Sequence, residues 1–209
     1  MHAMGAKKQY ICNSCGAIAD SWSGKCFTCS EWNTLEETIV ETKTTSKVRG
    51  SSKIGLKIVD SRTAILDDRP RLKSGIKDLD IVFGGGLVPG SVVLIAGEPG
   101  VGKSTLLLQL SNNISKQHKV LYISGEESTH QVGIRAKRLG VNDSSLAIAA
   151  SNNAEEIASE INSKKFEVVV VDSIQTIGSE KLTSNPGSIS QINTATNLMI
   201  NSAKTSNTV

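Results

Sequence analysis

Residues 96–109 read AGEPGVGKSTLLLQ. Inside that stretch Gly97, Glu98, Pro99, Gly100, Val101, Gly102, Lys103 and Ser104 match G-x-x-x-x-G-K-[ST] at every position. The glycines let the backbone turn so that successive amide N–H groups face one anion. A helix beginning near Lys103 adds the positive end of its dipole. In this pattern the Lys103 ammonium reaches the β- and γ-phosphates of a nucleotide. The Ser104 hydroxyl is offered to Mg²⁺, and Thr105 lines the same turn.

Outward from the loop the chain alternates between strand and helix patterns. SVVLIAG (91–97) predicts a buried strand, and STLLLQLSNNISKQ (104–117) a helix with Leu107, Leu110 and Ile114 at helical spacing. VLYIS (120–124) and LAIAA (146–150) predict strands, separated by a helix over 130–140 that stops at Gly140. Asn153 and Glu156 form a capping-box pattern ahead of AEEIASEINSKK. FEVVVVD (166–172) predicts the most buried strand, followed by a loop over 174–187 and a helix over 189–204. Such alternation predicts an α/β fold, a parallel sheet with helices on both faces. The glycine-rich SGIKDLDIVFGGGLVPGS (74–91) reads as a turn feeding the first core strand.

A triphosphate site needs a second metal anchor. Asp172 closes an apolar strand about 70 residues after the phosphate loop, the pattern of the carboxylate that holds a Mg²⁺ shell. Ser173-Ile174-Gln175 follow it, so no glycine stands three residues on, which argues for an ATPase over a small GTPase. Hydrolysis also needs a group that orients or deprotonates water. Glu126 and Glu127 lie just past the strand at 120–124, at its carboxyl end. Glu126 is the preferred base and Glu127 the reserve; a helix-dipole role for either is the competing reading.

All four cysteines lie near the start of the chain, as Cys12-x-x-Cys15 and Cys26-x-x-Cys29 with ten residues between the pairs. Two such knuckles fold their thiolates around one tetrahedral ion and leave no open coordination position, so the metal is structural. Zn²⁺ is the expected ion and rubredoxin-like iron the alternative. Gly16 and Ser30 suit tight knuckle turns, and Trp22 and Trp32 are expected to form a small core. The chain thus divides into a four-cysteine zinc module (7–34), a linker (35–70) and a nucleotide-binding domain (71–209). The linker has the Thr/Ser/Lys-rich run 42–52 at its centre and strand-like pieces at 56–59 and 64–66.

The chain has 209 residues, a net charge of +3 and 3% aromatic residues. That is room for one good core and a small appendage, with too few aromatics for a large base-stacking platform. The Lys and Arg residues near 43–57 and 69–73 read as a solvated linker before they read as a phosphate-contacting patch. No apolar run approaches membrane-spanning length and no signal peptide opens the chain, so the expectation is a cytoplasmic protein with no membrane partner.

SGIKDLDIVFGGGLVPGSVVLIAGEPGVGKSTLLLQ, together with ISGEES (123–128) and VVVVDSIQT (168–176), closely resembles the ATPase core of the bacterial RadA (Sms) DNA-repair family, a branch of the RecA superfamily. The zinc module, linker and ATPase core in this order resemble that family over nearly the whole chain. The resemblance implies a RecA-like core and a catalytic glutamate on the strand after the phosphate-loop helix, which matches Glu126. It also implies that a further strand lies between the phosphate-loop strand and the Asp172 strand. The family's Lys-Asn-Arg-Phe-Gly motif and Lon-like domain are not in this sequence, so the chain is read as an N-terminal fragment with an incomplete sheet. The implied activity is a DNA-dependent ATPase of DNA repair and homologous recombination. It would process recombination intermediates and promote branch migration, with single-stranded or branched DNA, the RecA recombinase and a homo-hexameric ring as partners. The alternatives are a KaiC-like regulatory ATPase, against which the zinc module argues, and a non-catalytic adaptor.

Overall fold

The computed structural model describes residues 7–40, 60–62, 70–141 and 145–209. The strand-like pieces anticipated at 56–59 and 64–66, and the linker centre at 42–52, lie outside the described residues.

The first unit is an antiparallel sheet of β1 (Lys7–Cys12), β2 (Ile18–Ala19) and β3 (Leu35–Val40), in the order β2-β1-β3. β3 pairs with all of β1, from Lys7 opposite Val40 to Cys12 opposite Leu35. Residues 35–40, which the sequence assigned to the linker, therefore belong to this sheet. The interior of the unit is Cys12, Cys26 and Leu35. Trp22 and Trp32, expected to be its core, are instead 59% and 68% exposed. The thiol cluster occupies the space that an apolar core would otherwise fill, so the indoles are left outside. There the Lys25 ammonium sits 5.7 Å from the Trp32 ring centroid.

The second unit opens with α1 (Lys77–Val82) and the glycine turn behind it. Leu72 and Leu87 pair across that turn and enter the main core. Arg71 donates to the carbonyls of Phe83 and Gly86, and Lys73 to that of Gly85. These two cations of the 69–73 group thus bind backbone oxygens of the turn. Next come α2 (Lys103–Ser115), β4 (Val120–Ser124), α3 (Thr129–Arg138), β5 (Leu146–Ala150), α4 (Ala154–Asn162), β6 (Val168–Asp172) and α5 (Ile189–Ser206). The strands are parallel in the order β5-β4-β6.

Side chains on a strand alternate between faces, and the layers follow that alternation. Val120 and Tyr122 of β4, with Val168 and Val170 of β6, pack under Leu108 and Ile114 of α2 and Val132 of α3. Leu121 and Ile123 pack on the opposite face under Ile157 and Ile161 of α4 and Ala195 of α5. Helices cover both faces, as the sequence predicts.

Two strand expectations need correction. β4, with a neighbour on each side, is buried throughout and is the most buried strand; β6 is only partly so. Residues 91–97 are not a strand: the segment joins no sheet, and Leu94 is 79% exposed. The free edge of β6 shows why. Val209 already bonds there, donating to Glu167 O at 2.9 Å and accepting from Val169 N at 2.8 Å. Asn207, two residues before it, packs at Gly90. The chain at 207–209 therefore stands between β6 and the start of the 91–97 segment. A β-prone stretch without a neighbouring strand has no ladder to join.

Caps follow the sequence more closely. Asn153 accepts from Glu156 N at 3.0 Å, but the Glu156 carboxylate accepts from Ser151 instead of closing the box. The complete box is at Ser128 and Gln131, whose side chains bond each other's backbone N–H groups. Ile157→Ala should cost about 2–5 kcal/mol, since it empties a site between α4 and the sheet. Ile134→Ala, on the exposed face of α3, should change stability by about 0.5 kcal/mol or less. Urea denaturation of the two variants checks the contrast.

Candidate nucleotide and metal sites

The phosphate loop turns outward and ends as the cap of α2. Gly100 and Gly102 hold φ of +79° and +99°, the left-handed region that glycine adopts without strain. No atom lies within 4 Å of where a Cβ would stand on either residue, so the space above both is open. Gly102 O accepts from Leu106 N at 2.9 Å and starts the helix. Lys103 folds back over the loop, its Nζ donating to Gly97 O at 2.9 Å and Glu98 O at 2.8 Å. Pro99 and Val101 form the exposed rim, and Thr105 is half-buried behind Ser104.

Ser104 joins this loop to the sheet, its Oγ donating to Asp172 Oδ1 at 3.1 Å. Both oxygens are hard donors of the kind Mg²⁺ takes, so the pair fits that ion beside a phosphate cradle. Asp172 is presented at the carboxyl end of β6 because Ser124 and Asp172 are register partners, and Gly125 N donates to Asp172 O at 2.9 Å. Gly125 also lets the segment after β6 close in, since a Cβ there would collide with Thr176 Oγ1.

Three carboxylates lie around this point, each held differently. Glu126 Oε1 accepts from Ser173 Oγ at 2.9 Å, next to Asp172 in the chain. Glu127 Oε2 pairs with Arg135 Nη2 at 2.8 Å. Asp172 Oδ2 accepts from the Tyr122 hydroxyl, which in turn accepts from Arg135 Nη2 at 3.1 Å. Burial first, and then the neighbouring Asp172 carboxylate, raise the Tyr122 hydroxyl pKa, so it stays a proton donor. Glu126, Asp172, Ser104 and Lys103 are thus gathered at one end of the sheet. Sequence reading missed Tyr122, Arg135 and Ser173. The cue was available for Tyr122, a phenol inside a strand otherwise apolar up to Ser124, because a buried hydroxyl needs a partner.

The four cysteine Sγ atoms lie within 4.8 Å of one another, with Cys12–Cys29 and Cys15–Cys26 each at 3.6 Å. Four sulfurs tetrahedral about zinc stand about 3.8 Å apart, given bonds of about 2.3 Å. No disulfide forms, and the cluster fits one ion. The knuckles are alike: Gly16 N donates to Cys12 O at 2.8 Å and Ser30 N to Cys26 O at 2.9 Å. Gly16 and Ser30 both take left-handed φ. Burial opposes ionisation of Cys12, yet contacts from Thr34 and the backbone amides of Cys15 and Ser14 bring it down to about 6. For Cys15 the Ala17 amide favours the thiolate, but burial and the other three thiols push it up to about 12. Thiols packed this closely do not all ionise unaided, and a bound cation removes the conflict.

A family model described as KaiC, an ATPase, matches residues 72–150, and one described as a rubredoxin metal binding domain matches residues 10–37. DNA repair protein RadA of Rickettsia prowazekii is 43% identical over 206 residues, covering 97% of this chain and 45% of the relative. That of Aquifex aeolicus is 45% identical over 190 residues, covering 91% and 42%, and that of Pseudomonas aeruginosa is 41% identical over 206 residues, covering 97% and 45%. The chain thus spans less than half the length of these relatives. A DnaB-like replicative helicase, solved in a study of its interactions with primase, superposes with a TM-score of 0.56 at 18% identity, covering 75% of this chain and 48% of that one. It shows the shared fold. Among the described residues no helix is long and apolar enough to cross a membrane. With relatives above 40% identical across nearly all its residues, and both of its modules matched in order, the chain is similar over nearly its whole length to the RadA DNA-repair proteins.

Proposed function

We propose that this chain carries the nucleotide-binding and hydrolysing unit of a DNA-repair ATPase, stabilised at one end by a zinc ribbon. The observation that carries the reading is the hydrogen bond between Ser104 and Asp172, with Glu126 tethered one residue away through Ser173. The backbone N–H groups of the loop between Gly97 and Lys103, Pro99 having none, cradle the phosphates of ATP. Lys103 exchanges its two carbonyl contacts for β- and γ-phosphate oxygens. Ser104 and Asp172 are the residues that would hold Mg²⁺, which supplies charge neutralisation between the phosphates. Glu126 orients and deprotonates water. The preference for Glu126 over Glu127 rests on their partners: a serine hydroxyl leaves the first carboxylate available, whereas the Arg135 ion pair occupies the second.

The domain division at 7–34, 35–70 and 71–209 is proposed with the first boundary moved to about residue 40, since β3 completes the ribbon sheet. The RadA relatives support DNA repair as the setting. Work on recombination intermediates, branch migration with the RecA recombinase, single-stranded or branched DNA as the stimulating ligand, and a hexameric ring in the cytoplasm are proposed for the whole protein. ATP turnover of this chain, and of a version extended past Val209, measured with and without single-stranded DNA, tests the reading. Stimulation by DNA supports it, and turnover indifferent to DNA in both counts against it.

Lys103→Ala removes charge-assisted contacts of about 1.5–3 kcal/mol, so ATP should bind about ten- to a hundredfold more weakly by calorimetry. Glu126→Gln should keep ATP binding and lower turnover by about 10²–10⁴-fold, with a smaller loss for Glu127→Gln. Equal losses would remove the distinction. Cys12→Ser with Cys15→Ser should release about one zinc ion per chain, read by mass spectrometry of the metal, while nucleotide binding persists.

A further inference from the structure

We propose that Tyr122 and Arg135 are positioning residues that hold the Asp172 carboxylate so that one oxygen faces the protein and the other faces the metal. This rests on the reading of Asp172 as a magnesium ligand.

Tyr122 lies in the middle of β4 and is wholly buried. Its ring packs in the layer beneath α2 and α3, a place that phenylalanine would fill equally well. What the hydroxyl adds is a contact two residues along the neighbouring strand. Tyr122 is the register partner of Val170, and its hydroxyl reaches Asp172 Oδ2. Arg135 comes from α3 on the same face. Its Nη2 donates to the Tyr122 hydroxyl at 3.1 Å, pairs with Glu127 at 2.8 Å, and stands 3.7 Å from Asp172 Oδ2. The hydroxyl therefore accepts from a cation and donates to an anion, an arrangement in which each hydrogen bond strengthens the other.

The two oxygens of Asp172 are thereby distinguished. Oδ2 is taken up by the brace, and Oδ1 is left toward Ser104. A free carboxylate at a strand end can rotate about its terminal bond and lose its aim. Here rotation would break the Tyr122 bond. Contacts of this kind behind a metal-binding carboxylate hold its orientation, and removing one lowers metal affinity about ten- to a hundredfold. None of this requires Tyr122 or Arg135 to touch nucleotide.

The test is the Mg²⁺ dependence of nucleotide binding by the full chain, followed with a fluorescent ATP analogue, beside binding in EDTA and thermal melting. Tyr122→Phe should raise the Mg²⁺ midpoint about tenfold or more while binding in EDTA and the melting temperature stay close to wild type. Arg135→Lys keeps the charge and shortens its reach, and it should shift the midpoint in the same direction by less. It also decides the matter if the buried phenylalanine variant fails to fold. A residue of purely structural importance would change melting and EDTA binding together with the midpoint. Midpoints within twofold of wild type in every folded variant overturn the brace. Asp172→Asn separates the two readings. If it abolishes the Mg²⁺ dependence while Tyr122→Phe and Arg135→Lys leave it intact, only the brace fails. If it leaves the dependence unchanged, the magnesium reading fails and takes the brace with it.

Discussion

The contact between Ser104 and Asp172 joins two elements that share no backbone pairing. One belongs to the first turn of α2, the other to the end of β6, 68 residues later. Without that contact the phosphate loop would be an exposed turn on a helix, and Asp172 a carboxylate at an open strand edge. With it, the helix dipole, the amides of the loop and a hard oxygen pair converge on one volume. The loop has no sheet strand to hold it, since residues 91–97 lie outside the sheet. What ties its far end to the core is α2, through Leu108 and Ile114 packed on β4 and β6. The cradle is thus located from its helix side.

Three carboxylates at the carboxyl ends of β4 and β6 differ by their partners. A serine, an arginine and a tyrosine–arginine pair hold Glu126, Glu127 and Asp172 respectively. A neutral hydroxyl donor keeps a carboxylate oriented without cancelling its charge, whereas a guanidinium only 2.8 Å away does cancel it. The same side-chain chemistry is thereby divided among different tasks by environment. The ribbon shows a related economy. Its thiols stand where hydrophobic side chains would, and the metal they fit supplies the cohesion that so short a segment cannot obtain from apolar burial.

What was legible in the sequence was whatever is encoded locally. The phosphate loop declares itself because its glycines, lysine and serine are contiguous. The cysteine knuckles do so by spacing, and α2 to α5 by apolar periodicity with polar caps. What was not legible depended on partners. Residues 91–97 have every intrinsic feature of a strand, yet a strand exists only where a neighbour does. Trp22 and Trp32 read as core because so short a module offers almost nothing else to bury, and nothing in the sequence says that four thiols already fill the interior. Tyr122 and Arg135 are 13 residues apart, and each is 37 residues or more from Asp172. Only the sheet brings them together. The Ser128–Gln131 box stands in the sequence as S-x-x-Q, whereas the side chains of Asn153 and Glu156 divide between two partners.

The register of β6 shows how strongly the site and the fold constrain each other. Its sequence is VVVVD, four identical residues facing apolar layers on both sides, so the hydrophobic pattern alone does not choose between neighbouring registers. A slip of one residue would exchange valine for valine along the strand at little cost. At its end, however, it would move the Asp172 carboxylate to the face where Leu121, Ile123 and Ile177 pack, leaving a charge without donors. It would also break the contacts with Ser104, Tyr122 and Gly125 N. The polar end of the strand therefore selects the alignment that its apolar body leaves open. Asp172, proposed to hold Mg²⁺, also tells β6 where to stop.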